Sequence, residues 1–303
     1  MNKNALFQLI TAMMIFGSVG FFSGLTGLPA MELVFIRCIC AAIFLFIAWI
    51  VTGHLKKEHW SLKETIIIGL CGIANLLNWI FLFKSFEVIS VTIAISLYHL
   101  APMIVLILGS IIFREKLTFV SIIAITLCFI GTIFIMGTDG FQSHSVEWEG
   151  IIYGIVAAFF YAATMILGKS ITKTSVYATT FLQMVIGIIL LVPFVHYSAY
   201  TGLQISEWVY SILTGIIHTG VVYLLFFNSI RFLPTNVVSF MIFVDPAVAI
   251  ILDIFITKFR PDWLQWLGII LIFSGLFYTL KASKTQAATD DNKIDLKAGE
   301  ESY

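Results

Sequence analysis

The sequence predicts an all-α membrane protein of ten transmembrane helices, built as two inverted five-helix repeats. Composition is the first of three observations behind this. Of the 303 residues, 60% are apolar and 11% charged, with a mean hydropathy of +1.02. A soluble domain carries roughly 25% charged residues, so most of this surface must face lipid. The second observation is a series of apolar runs, each near the ~20 residues that cross a hydrocarbon core. The third is internal: shifted by 144 positions, residues 81–136 lie on 225–280 without a gap.

In chain order the runs fall near 6–26, 30–52, 65–84, 88–113, 117–137, 149–169, 177–198, 207–228, 234–257 and 262–281. The first follows a single lysine, Lys3, and lacks a small-x-small cleavage site, so it reads as a retained helix. Its Gly17, Gly20, Gly24 and Gly27 step by 3, 4 and 3, a narrow stripe that lets a neighbouring backbone approach. The second run holds Arg37 and ends at Lys56-Lys57-Glu58. The third places Asn75, Asn78 and Trp79 at i, i+3 and i+4, on one helix face. Tyr98, His99 and Pro102 mark the fourth, which Arg114-Glu115-Lys116 closes. Gly131 lies in the fifth, before the turn Thr138-Asp139-Gly140. The sixth carries Tyr161, the eighth His218 and Tyr223, and the ninth Asp245-Pro246. The seventh rests on apolar length alone, and the tenth, set off by Lys258 to Pro261, carries Gly275. The chain thus divides into a first repeat (1–137), a second, inverted repeat (149–281) and a polar tail (282–303) expected to be disordered and cytoplasmic.

Loop lysines and arginines set orientation. With ten spans, one side carries thirteen of the 17 basic residues and the other three (Lys84, Lys258 and Arg260), while Arg37 lies within a span. Both termini are therefore expected in the cytoplasm, with the protein in the cell membrane. The 144-residue shift brings Phe83 onto Phe227, Ser85 onto Ser229, Pro102 onto Pro246, Gly131 onto Gly275 and Trp79 onto Tyr223. Five spans is an odd number, so the second copy must enter the membrane upside down. Inverted repeats characterise transporters, whose solute binds near the midplane between the halves.

Other classes fall away on inventory. With 17 basic and 17 acidic residues there is no electrostatic case for a nucleic-acid partner. Cys38, Cys40, Cys71 and Cys128 all sit in apolar runs without metal-ligand spacing, and read as helix-packing residues. The sequence holds no Gly-x-Ser-x-Gly, His-Glu-x-x-His or glycine-rich loop with a lysine, so neither an enzyme nor a cofactor or metal is expected. The expected partners are a small-molecule substrate and the lipid bilayer, with the chain a monomer or homodimer.

Pro102, Arg114-Glu115-Lys116-Leu117 and Phe129-Ile130-Gly131 are echoed by Pro246, Gln265-Trp266-Leu267-Gly268 and Ser274-Gly275. In these motifs residues 6–281 resemble the EamA-type family of the drug/metabolite transporter superfamily. The resemblance implies transport of amino acids, related metabolites, amines, nucleotide derivatives or drugs, with export slightly favoured. Glu115 departs from the symmetry, since its counterpart is Phe259. A membrane receptor or structural protein is the competing class, which the short connectors disfavour.

Charges inside a span cost about 2.5–3.5 kcal/mol on insertion scales, which makes each a functional candidate. Asp245 stands before Pro246, whose ring is expected to free the carbonyl of residue 242 beside it. This is a candidate cation or proton site, the alternative being a carboxylate bonded to a neighbouring helix. Asp253, a turn from the helix end, suits a rim role. His99 is a candidate for protonation coupling or a bonded neutral imidazole, and His218 a weaker one. Arg37 either holds an anionic group or makes a structural pair. Trp79, Tyr98, Tyr161 and Tyr223 are expected to wall a central cavity, with Asn75 and Asn78 beside Trp79.

Overall fold

The computed structural model of the protein describes residues 2–89, 91–115, 118–136, 148–257 and 260–275. The expected tail, the Thr138-Asp139-Gly140 turn, Lys258, Phe259 and the end of the tenth run lie outside them. All regular structure among the described residues is helical: α1 Lys3–Gly24, α2 Ala30–Val51, α3 Leu62–Val88, α4 Val91–Tyr98, α5 Ala101–Ile112, α6 Phe119–Met136, α7 Trp148–Ser170, α8 Val176–Leu191, α9 Ile205–Gly215, α10 Val222–Ile230, α11 Thr235–Met241 and α12 Val244–Leu252, then α13 Trp263–Gly275. Six stretches are long and apolar enough to cross a bilayer: Lys3–Gly24, Ala30–Val51, Leu62–Ser85, Trp148–Ser170, Ile205–Ile230 and Thr235–Ile256. Four shorter apolar helices, Ala101–Ile112, Phe119–Phe134, Val176–Leu191 and Trp263–Gly275, accompany them. The molecule is a multi-pass membrane protein. Its outer surface shows large apolar side chains such as Phe7, Val51, Ile111 and Phe255, which only lipid would cover. Exposed Trp148 and Trp263 begin α7 and α13, where an indole straddles the apolar and headgroup layers.

Local chemistry sets the helix boundaries. Asn2 Oδ1 accepts the N–H groups of Asn4 and Ala5 at 3.1 and 3.2 Å, and Ser175 Oγ accepts that of Ala178 at 3.2 Å to start α8. Asp262 and Gln265 exchange bonds of 2.9 and 2.8 Å ahead of α13, a capping box. α8 stops at Leu191 and not near 198, because Pro193 has no N–H with which to continue the helical ladder.

The two proline-bearing spans break at matching places. α4 gives way to α5 at His99-Leu100, with Pro102 in the first turn of α5. α11 gives way to α12 at Ile242-Phe243, with Pro246 in the first turn of α12. The carbonyl of Ile242 is not freed as the proline suggested. Asp245 N–H donates to it at 3.2 Å, because the chain tightens into a three-residue turn at the break.

Residues 144 apart also touch each other. The rings of His99 and Phe243 lie 6.0 Å apart, those of Trp79 and Tyr223 6.1 Å apart. A Cβ on Gly131 would lie 2.8 Å from the Gly268 carbonyl, and one on Gly275 3.2 Å from that of Ala124, the same crossing met twice at that offset. Contacts between counterparts, and crossings in reciprocal pairs, are what a two-fold relation between halves produces.

Hydrogen bonds gather the connections into two ends. At one, Glu64 accepts the N–H groups of Thr172, Lys173 and Thr174 at 3.0, 2.9 and 2.7 Å. There Glu58 accepts that of Ser175 at 2.7 Å, and Arg231 donates to the Thr174 carbonyl at 2.8 Å. At the other end His196 N–H donates to Glu32 at 3.0 Å, and the Tyr200 hydroxyl to the Glu32 carbonyl at 2.8 Å. Burial and the neighbouring Glu32 carboxylate push the Tyr200 phenol up to about 12, so it stays protonated and keeps donating.

Candidate functional site

A cavity of about 790 Å³ lies among α1, α2, α3, α4, α7, α10, α12 and α13. Its lining includes Leu28 of the α1–α2 connection and the exposed Ala30 that starts α2. It therefore opens toward the Glu32–His196 end. The lining stops short of the opposite end, which holds the Glu58, Glu64 and Arg231 bonds.

Seven of the nine expected site residues line this cavity: Arg37, Trp79, Tyr98, His99, Tyr161, Tyr223 and Asp245. Tyr98 and Tyr161 stack with ring centroids 4.9 Å apart and planes within 7°. Tyr223 meets Trp79 edge-on at 87°, and Phe16 likewise at 5.5 Å. Asn75 and Asn78 are absent from the lining. Asn75, 3% exposed, lies behind Tyr223 and accepts its hydroxyl at 3.3 Å. Asn78 is 1% exposed, and among the described residues its Oδ1 has no hydrogen-bond partner. The shared face of α3 is as expected, but the ring of Tyr223 comes between Asn75 and the space. The side chain of Asp253 lies outside the described residues.

The two charges of the site stand on broken or widened helix. Asp245 follows the α11–α12 break, and among the described residues its carboxylate has no hydrogen bond or ion pair. Arg37 donates from Nε to Thr219 Oγ1 at 3.0 Å and from Nη2 to the His218 carbonyl at 3.4 Å, with its guanidinium 5.9 Å from the Trp79 ring centre. Both acceptors belong to a π-helical turn, Ile216–Val221, in which Thr219 Oγ1 donates to the Thr214 carbonyl at 3.3 Å. A π turn carries an extra residue and re-aims the helix beyond it. Neither acceptor is charged, so among the described residues Arg37 brings a cation without an acidic partner to the wall.

The histidines divide. His99 lines the cavity and bonds through Nδ1 to the Ile95 carbonyl at 2.9 Å. His218 lies outside the lining, with Nε2 2.9 Å from Ser18 Oγ. Ser18 donates its own proton to the Ile15 carbonyl at 2.7 Å, so His218 is the donor to Ser18. Sequence reasoning missed the rest of the lining, Phe16, Ser23 and Gln265 among them. It also read the glycine stripe as a packing seam or a sliding surface, not as cavity wall. Gly17 is one, since a Cβ there would lie 2.6 Å from the Asp245 carbonyl. Gly20 lines the cavity and has nothing within 4 Å of its Cβ position. Only the occupants of the opposite helices distinguish the two.

The family profile described as EamA-like transporter family matches residues 3–137 and again 148–281. The uncharacterized transporter YxxF of Bacillus subtilis strain 168 is 50% identical over 299 residues, covering 97% of this chain and 96% of that protein. An uncharacterized transporter of Archaeoglobus fulgidus is 22% identical over 269 residues, covering 88% and 93%. A crystal structure described only as that of a protein shares the fold, with a TM-score of 0.80 at 13% identity over 92% of this chain and 98% of that one.

Proposed function

The chain belongs to the EamA-like transporter family, and on that premise we propose that it is a secondary transporter carrying an amino acid or a related amine by alternating access, in the export direction. Membrane transport is the family's common property. The finer reading rests on the cavity, and one observation carries it: a carboxylate, Asp245, and a guanidinium, Arg37, neither with an oppositely charged partner among the described residues, share one aromatic-walled space. In a bilayer each such charge is expensive until something satisfies it. A solute with an ammonium and a carboxylate satisfies both, whereas a dianion leaves Asp245 repelled. The stacked tyrosines and Trp79 offer ring faces to the ammonium or to a flat side chain, at ~0.5–2 kcal/mol per cation–π contact.

Ten spans in two inverted repeats of five remain our reading of the architecture. It is supported by the double family match, the matched breaks and the contacts between counterparts. The thirteen-to-three split of basic loop residues supports cytoplasmic termini in the cell membrane. The closed end then faces the cytoplasm and the cavity opens outward.

The test is purified protein in liposomes, screened against radiolabelled amino acids, amines, nucleosides and dicarboxylates. Amino acids or amines are expected to be transported, and Asp245→Asn to abolish that transport while folded protein stays in the membrane. Transport of dicarboxylates alone, or full activity in Asp245→Asn, would remove the carboxylate from the site.

A further inference from the structure

The end that the cavity does not reach holds a second cluster of charges. Lys169, in the last turn of α7, donates from Nζ to Glu115 Oε1 at 2.6 Å, to the Leu233 carbonyl at 2.9 Å and to Thr235 Oγ1 at 2.9 Å. An ammonium has three protons, and all are used. The other carboxylate oxygen of Glu115 accepts the N–H of Thr235 at 2.6 Å, at the start of α11, where backbone dipoles favour an anion. Phe113 lies beneath the ammonium, its ring centre 4.8 Å away. One carboxylate and one ammonium thus join the α5–α6 connection to α7 and α11, across the two family matches.

The placement of this cluster makes it mechanical. α3 packs along α7, and α1 along α10 and α12. The cavity lies between these groups, with Trp79 and Tyr161 on one side and Gly20 and Asp245 on the other. The cluster ties α7 of the first group to α11, whose Thr235–Met241 leads straight to the break before Asp245. The side chains of Lys169 and Glu115 are 13% and 27% exposed, so both reach water when parted, which spares them the cost of an unpaired charge in lipid. By sequence, the positions 144 away from Glu115, Lys169 and Thr235 are Phe259, Leu25 and Val91. The trio has no charged counterpart in the other half.

We propose that Glu115, Lys169 and Thr235 form a latch that holds the far end of the cavity shut and must part once in every transport cycle. The proposal rests on the alternating-access reading above. In that reading the latch is the step that admits solute to or from the cytoplasm, and α11 is the rod connecting it to Asp245, which takes the solute's ammonium.

Spin labels on the full-length protein in nanodiscs test it without any substrate. One pair sits at the latched end, on Phe119 and Phe232, and another at the open end, on Trp148 and Tyr197, all four exposed. In Glu115→Gln and in Lys169→Met, a longer 119–232 distance should grow in population by about tenfold or more, as loss of a charge-assisted bond implies. The 148–197 distance should change in the opposite sense. The double variant should add little to either single one, because both break the same contact. Thr235→Val, which removes only a hydroxyl, should give a smaller shift of the same kind and decides the matter if the charge variants fold poorly. Unchanged distances, or a lower melting temperature with no new distance, would overturn the latch. Because the readout needs no solute, a failed substrate screen would sink the cavity assignment and leave this result standing.

Discussion

At the residue scale, Gly17 and Gly20 show how one pattern can hide two roles. They lie on a single stripe of α1, yet Gly17 presses on the Asp245 carbonyl while Gly20 borders empty space. Gly17→Ala should therefore destabilise the fold by ~1–3 kcal/mol, as overpacking does, measured by thermal unfolding in detergent. Gly20→Leu should leave the melting temperature alone and strongly reduce transport by occupying the cavity. Equal effects of both changes on stability would mean that the space at Gly20 is not there. The residues legible from sequence were those chemically out of place in apolar runs: Asp245, Arg37, His99 and the aromatic rings. Asn75 is equally out of place but serves Tyr223 from behind, and no pattern within α3 could reveal a ring arriving from α10.

At the element scale, the helices were legible because a bilayer imposes length and hydropathy on each, and a disturbed backbone near Ile242 because Pro246 announces it, whereas the span holding His99 and Pro102 read as one continuous helix. The π turn at Ile216–Val221 was not legible. It replaces one set of backbone bonds with another and needs no special residue. Its effect is to present Thr219 Oγ1 and the His218 carbonyl to Arg37. Thr219→Val keeps the shape and removes the oxygen. A hydrogen bond to a charged group contributes ~1.5–3 kcal/mol, so loosening Arg37 should weaken binding of a transported amino acid about tenfold. The corresponding amine, lacking a carboxylate, should bind almost as before, and calorimetry on the pair measures the difference. Equal losses for both would detach Arg37 from the carboxylate. Likewise, Lys169 read in sequence only as a basic residue that sets orientation and Glu115 only as part of a family motif, since their pairing depends on connections more than fifty residues apart meeting at one end.

For the whole molecule, the offset of 144 was visible as a faint alignment, ten identities in 56 positions. The structure adds weight to it through contacts that sequence cannot contain: His99 on Phe243 and Trp79 on Tyr223. If the halves exchange conformations when the cavity changes sides, every contact between unlike positions becomes its mirror contact in the other half. A contact between a residue and its own counterpart maps onto itself. Such pairs are the fulcrum of the seesaw, the points that stay still while both arms swing. Cys128 donates from Sγ to the carbonyl of its counterpart Ile272 at 3.7 Å, so it too sits on the pivot. An oxidative cross-link from Cys128 to a cysteine introduced at Ile272 should leave liposome transport running, and arrest by that link would show that the pivot lies elsewhere. A pinned axle does not stop a wheel.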